Sequence, residues 1–189
     1  MNKVKVPPPS KKVVYSQAVE GLVRCLGVDL TPSLQDRMME LGVNVRGSLN
    51  VEYPADVWCR CLVAVTETLH PTLSRDARMQ KLGERFITRG YPQTLAGKAT
   101  VGLLQVIGPT AFIKRFKIMV GSSNNYLRAE TSAVTDTSCE VWLNQIYELQ
   151  GFGLGVLQQS IYMAGAKEVT GSFKYRKEDE CVILFAWRA

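Results

Sequence analysis

Few side chains in this chain could do chemistry, and their spacing argues against most reactions. His70 is the only histidine, so a nucleophile–histidine dyad or triad would have to be built on it. It stands directly before Pro71, where the chain is leaving a predicted helix, and is read as a residue at the helix C-terminus. A metal site with several histidine ligands is excluded by count. Cys59 and Cys61 lie two apart on a predicted helix and do not face each other, which disfavours a zinc pair. Cys25, Cys139 and Cys181 fall on apolar faces and are expected to be buried, reduced thiols. The acidic run Glu178-Asp179-Glu180 sits in a charged turn, a poor place for a general acid, which needs burial to raise its pKa.

The run Gly151-Phe-Gly-Leu-Gly155 opens an apolar helix. Glycines entering a helix N-terminus can cradle an anion. Here the third glycine comes one residue too early for G-x-G-x-x-G, no βαβ unit with a ribose-binding acid follows, and no Walker A motif exists. The glycines are read as packing residues that let a helix over 153–166 lie close against a sheet. Nothing else in the chain suggests a catalytic constellation, so the chain is expected not to be an enzyme and no cofactor is expected.

Those residues must be positioned by a helical first half and a strand-rich second half. Residues 1–12 are basic and carry Pro7-Pro8-Pro9, and read as a disordered tail. From Val13 onward Val19, Leu22, Val23 and Leu26 follow helical spacing up to Gly27. Thr31, Ser74 and Thr94 are expected N-caps of three further helices. Another helix buries Trp58, Cys61, Leu62, Val65 and Leu69. Gly108-Pro109 is expected to stop the helix begun at Thr94, with a short helix TAFIKRF after it. KIMVG, YLRAETSAV and SCEVWLNQI then read as strands, with Asp136-Thr137 at a turn. Alternation puts Cys139, Val141 and Leu143 on one side of their strand and Glu140, Trp142 and Asn144 on the other. After the glycine helix come two last strands, EVTGSFKYR and CVILFAW. Helices first and a mostly antiparallel sheet later is an α+β order, with residues 13–189 forming a single domain.

The 189 residues are 46% hydrophobic and 21% charged, as in an ordinary globular protein. No apolar run approaches the roughly 20 residues of a membrane helix, and the N-terminus lacks the apolar core of a secretory signal; no membrane span and a cytoplasmic location are expected. The net charge of +6 is spread along the chain, without the tight basic patch and interleaved aromatics that nucleic acid demands. Nucleic acid is therefore not an expected partner. Glu84, Arg85, Arg89 and Lys98 meet Lys114, Arg115 and Lys117 only if two helices pack side by side, as a solvated face or a groove for an acidic partner.

The runs VEGLVRCLGVDL, YPADVW, LGERFITRGYPQTLAGKA, LLQVIGPTAFIKRF, SSNNYLRAETS and GFGLGVLQQSIYMAGAKEV closely resemble a paralogous family of small myxobacterial proteins of unknown function, over about residues 13–188. LRAETSAV departs from the shorter, threonine-rich stretch usual there. More loosely, Gly151–Ala166 followed by Cys181 resembles the α+β domains shared by haem-based nitric-oxide sensors, vinyl-4-reductase-type small-molecule domains and TRAPP vesicle-tethering subunits. That resemblance implies a helical layer over a twisted antiparallel sheet with an apolar pocket between them, which in some relatives holds haem or an acyl chain. The haem sensors use a proximal histidine and a Tyr-x-Ser-x-Arg motif, which Tyr126-Leu127-Arg128 does not meet.

Two functions follow as expectations. The first is a non-enzymatic regulatory or scaffold domain that binds a protein partner and forms homodimers, with Arg85, Arg89, Tyr91 and Arg128 at the interface. The second is a sensor of a small apolar ligand or acyl chain, with Trp142, Phe152, Leu154, Leu157, Ile161 and Phe185 lining its pocket.

Overall fold

The computed structural model describes residues 11–144, 146 and 149–188. The proposed tail falls mostly outside them, at residues 1–10. Lys11 and Lys12 belong to the fold instead: Lys11 pairs with Glu52 at 3.4 Å, and the Lys12 carbonyl accepts the Ala55 N–H.

The chain runs β1 (Val13–Tyr15), α1 (Ser16–Leu26), a 3-10 turn, α2 (Pro32–Glu40), β2 (Glu52–Pro54), α3 (Ala55–Leu69), α4 (Arg75–Arg85) and a π-helical turn at Phe86–Gly90. It continues through α5 (Leu95–Ser123), β3 (Arg128–Ser132), β4 (Ser138–Asn144), α6 (Gln150–Met163), β5 (Lys167–Arg176) and β6 (Glu180–Arg188). β1 and β2 form a small antiparallel pair; the main sheet is antiparallel in the order β3-β4-β6-β5. This is the α+β architecture expected from the order of patterns. The three N-caps form as expected: Thr31, Ser74 and Thr94 accept the backbone N–H groups of Leu34, Ala77 and Gly97.

Several expectations fail for reasons that lie outside the local sequence. Val13–Tyr15 is a strand, not the first turn of a helix, because it pairs with Glu52–Pro54. Gly108-Pro109 does stop the helix begun at Thr94, as expected: Gly108 takes φ 76°, which glycine reaches without steric cost, and a second helix follows it, so α5 is two helices that meet at a kink. KIMVG is helical rather than a strand. Phe112, Phe116 and Val120 recur every four residues and are all buried on one side of α5, and this packing overrides the β preference of the segment. Counted through the kink, Leu95–Ser123 spans 29 residues and is long and apolar enough to cross a membrane by length and composition only, and its inner side is committed to the core.

α6 begins at Gln150, so all three glycines lie inside it rather than before it. Two of them face α4 and not the sheet. A Cβ on Gly155 would stand 2.1 Å from the Gln80 carbonyl oxygen, and one on Gly151 would stand 2.6 Å from that of Asp76. From the other side, a Cβ on Gly83 would stand 2.3 Å from the Phe152 carbonyl oxygen. The two helix backbones therefore touch. Arg176 clasps the rim of this contact, donating to Asp76 Oδ1 at 3.0 Å and to Gln150 Oε1 at 2.6 Å. The hydrogen bond from Arg176 holds the Asp76 carboxyl below its usual range.

Gly155→Ala should lower stability by at least about 2–3 kcal/mol, because a backbone oxygen cannot rotate out of the way. Gly102→Ala, where a Cβ meets nothing on exposed helix, should instead raise it by about 0.5–1 kcal/mol. Urea unfolding of the two variants checks the contrast.

Candidate functional site

Between the helices and the sheet lies a cavity of about 150 Å³. α5 forms one wall through Val101, Leu104, Phe112, Phe116 and Met119. α6 forms the facing wall through Phe152, Gly153 and Val156, which share a face by helical spacing. Leu143, Ile146 and Leu149 close the end formed by β4 and the segment after it. Trp58, Phe86 and Tyr91 close the other end. There Phe86 packs edge-on against Trp58 and Phe152, at ring separations of 6.5 and 5.5 Å, and stacks on Tyr91 at 5.8 Å. Gly21 permits this cluster, since a Cβ there would lie 2.9 Å from the Phe86 ring.

The polar side chains in the lining are largely turned to their own helices. Thr100 donates to the Ala96 carbonyl, Ser123 to Val120, Ser160 to Val156, and the Asn124 amide to Val120. No Asp, Glu, His, Cys, Lys or Arg lines the space among the described residues.

The predicted pocket residues divide. Phe152 lines the cavity. Leu154, Leu157, Ile161 and Phe185 do not line it, although all are buried. Leu154 and Phe185 close together under Gly171 of β5, where a Cβ would stand 2.6 and 2.7 Å from them. α6 is apolar on two faces, and these residues occupy the other one. Trp142 is on the far side of the sheet. Strand alternation separates it from Val141 and Leu143, and its Nε1 donates to Glu180 at 3.2 Å. The Tyr175 hydroxyl donates to the same residue and, with Trp142, holds the Glu180 carboxyl below its usual range. The cavity residues that sequence reasoning missed are mainly those of α5, and the four-residue recurrence of Phe112, Phe116 and Val120 was the available signal.

The predicted interface residues divide as well. Arg85 is turned inward: it donates to the carbonyls of Cys25 and Leu26 at 2.7 and 2.9 Å and to Asp29 at 2.6 Å, capping the C-terminus of α1. Tyr91 is half-buried in the aromatic cluster. Arg89 and Arg128 are exposed, Arg128 on the edge strand β3. The side-by-side basic groove therefore loses Arg85. Four cysteines behave as expected of buried thiols, with burial pushing Cys25, Cys61 and Cys181 up to about 11 and Cys139 up to about 12. Cys181 does not line the cavity. No group of three or more His, Cys, Asp or Glu could hold a metal among the described residues.

This α+β fold, helices over a four-stranded antiparallel sheet, is similar to that of solved H-NOX proteins. A single-substitution variant of Tt H-NOX superposes with a TM-score of 0.70 at 11% identity, covering 93% of this chain and 95% of that one. A protein from work on heme distortion in the H-NOX family gives 0.68 at 11% identity, over 91% and 94%. The Fe(II) unliganded H-NOX protein from K. algicida gives 0.65 at 11% identity, over 91% and 95%. The chain itself belongs to the family described as "Protein of unknown function (DUF2378)", which matches residues 12–188. Comparison with curated proteins gives no match.

The shared fold invites a test of haem, and the residues present do not fit it. Haem iron takes His, Cys, Met or Tyr as an axial ligand. His70 caps the end of α3 and is not in the lining, and no cysteine reaches it. Among the described residues of the lining, Met119, Tyr91 and Tyr126 remain, with no cation there to receive the propionates. Protein mixed with hemin and passed through a desalting column should show no Soret band; a band that persists would contradict this reading.

Proposed function

We propose that this chain is a non-catalytic sensor domain that binds a compact, uncharged, apolar molecule in the cavity between α5 and α6. The observation that carries this reading is the cavity itself. An apolar space of about 150 Å³ leaves its lining side chains short of packing partners. A ligand that fills the space supplies them. Cavities of about this size with apolar walls stay dry and accept benzene or xenon.

The lining also sets the chemistry of the ligand. Its Ser, Thr and Asn side chains bond to their own helices, so a polar or charged ligand would lose its hydration without gaining partners. The absence of an acid, base or thiol from the described lining supports binding rather than catalysis. The likeness of fold to H-NOX proteins, some of which were studied for heme distortion, supports a sensor more than a protein-binding scaffold. The scaffold reading is weakened further because Arg85 and Tyr91 are used within the fold.

Native mass spectrometry of freshly purified protein should show an added small, uncharged mass. Benzene should raise the melting temperature of stripped protein by about 2–4 °C for each kcal/mol of binding. Val156→Phe, which fills the space, should abolish that rise while melting no lower than the parent. A clean apo mass together with a melting temperature indifferent to benzene would refute the reading.

A further inference from the structure

We propose that the outward face of α5 docks on an anionic lipid surface. α5 has two unlike sides. Inward, Leu104, Phe112, Ile113, Phe116 and Val120 are buried. Outward, Leu95, Val106 and Ile118 are 88%, 83% and 75% exposed, and Leu103 is 48% exposed. At 100° per residue Leu95, Ala99, Gly102, Leu103 and Val106 share one face of the first half. Beyond the bend, Lys114, Ile118 and Gly121 share the outward face of the second half. Only 22% of the apolar window of this helix is buried, so the core does not account for its composition.

The charges complement the apolar residues. Leu95–Ser123 contains no Asp or Glu. It carries Lys98, Lys114, Arg115 and Lys117, all exposed, and none of them is ion-paired among the described residues. Apolar side chains flanked by Lys and Arg on an otherwise carboxylate-free helix are the composition of helices that lie in a membrane interface, and each basic residue near an anionic bilayer adds about a fivefold gain. The buried inner side and the four cations make α5 a helix that lies on the bilayer rather than one that spans it.

Two rival occupants fit less well. A second copy packed face to face would set four cations against four. An acidic protein would answer the charge, but binding hot spots between proteins sit in complementary pockets, and side chains this exposed protrude singly. A fluid acyl layer takes them without a matching hole. The proposal does not depend on what fills the cavity.

Flotation with vesicles tests it. The full chain should float with mixed phosphatidylcholine–phosphatidylglycerol vesicles, stay behind with phosphatidylcholine alone, and be released by salt. Lys114→Gln/Arg115→Gln/Lys117→Gln should weaken binding on the order of a hundredfold. Leu95→Ser/Val106→Ser should weaken it at least about tenfold, and both variants should melt like the parent because the sites are exposed. The proposal is overturned if the protein ignores anionic vesicles or if neither variant alters flotation. It is also overturned by a dimer that Leu95→Ser/Val106→Ser abolishes, or by binding to polyglutamate without binding to vesicles.

Discussion

Everything in this fold is arranged around the place where the backbones of α4 and α6 touch. Gly83, Gly151 and Gly155 leave no room for a side chain there; the added Cβ atoms would approach backbone oxygens to between 2.1 and 2.6 Å. A contact this close fixes the register of the two helices, since a shift of one residue would drive a Cβ into a carbonyl. Polar bonds finish its edges. Gln80 donates to Gln158 at 3.1 Å, and Gln158 in turn donates to the Val169 carbonyl of β5 at 2.9 Å. With Arg176 at the other end, α6 is tied to α4 on one side and to the sheet on the other.

The position of α6 determines the cavity. Phe152 is held against Trp58 and Phe86, while Gly153 faces Ile146 and Leu143, where a Cβ would come within 2.7 Å of Ile146. α6 therefore cannot move outward without breaking the glycine contact. The opposite wall is different in kind. α5 bends at Gly108 and keeps much of its outer surface in solvent. One wall is rigid and built from backbone contact, and the other is two helices joined at the Gly108 kink, apolar inside and partly apolar outside. A ligand that alters the inner side of α5 would act on the same helix whose outer side carries the exposed leucine, valine and lysines.

Features decided by neighbours in sequence were legible beforehand. The caps at Thr31, Ser74 and Thr94 bind N–H groups three residues on, and the alternation at Cys139–Leu143 is a property of one strand. Features decided by distant partners were not. KIMVG looks like a strand until Phe112 and Phe116 are known to share its buried side. The glycines of α6 announce a close contact, but nothing in the sequence says that α4 is what approaches. Of the α6 residues expected at a pocket, Phe152 lines the cavity and Leu154, Leu157 and Ile161 do not; they are as apolar as Phe152 and Val156, and only the tertiary arrangement tells them apart. Arg85 could not be distinguished from a surface arginine until the carbonyls at the end of α1 came within its reach.

The central claim is that the space between α5 and α6 is a dry binding cavity. Diffraction from crystals pressurised with xenon measures this directly. The account predicts one strong xenon peak among Leu104, Phe116, Phe152 and Val156, with the surrounding side chains unmoved. Ordered water in that space, or side chains collapsed across it with no xenon bound, would contradict the account.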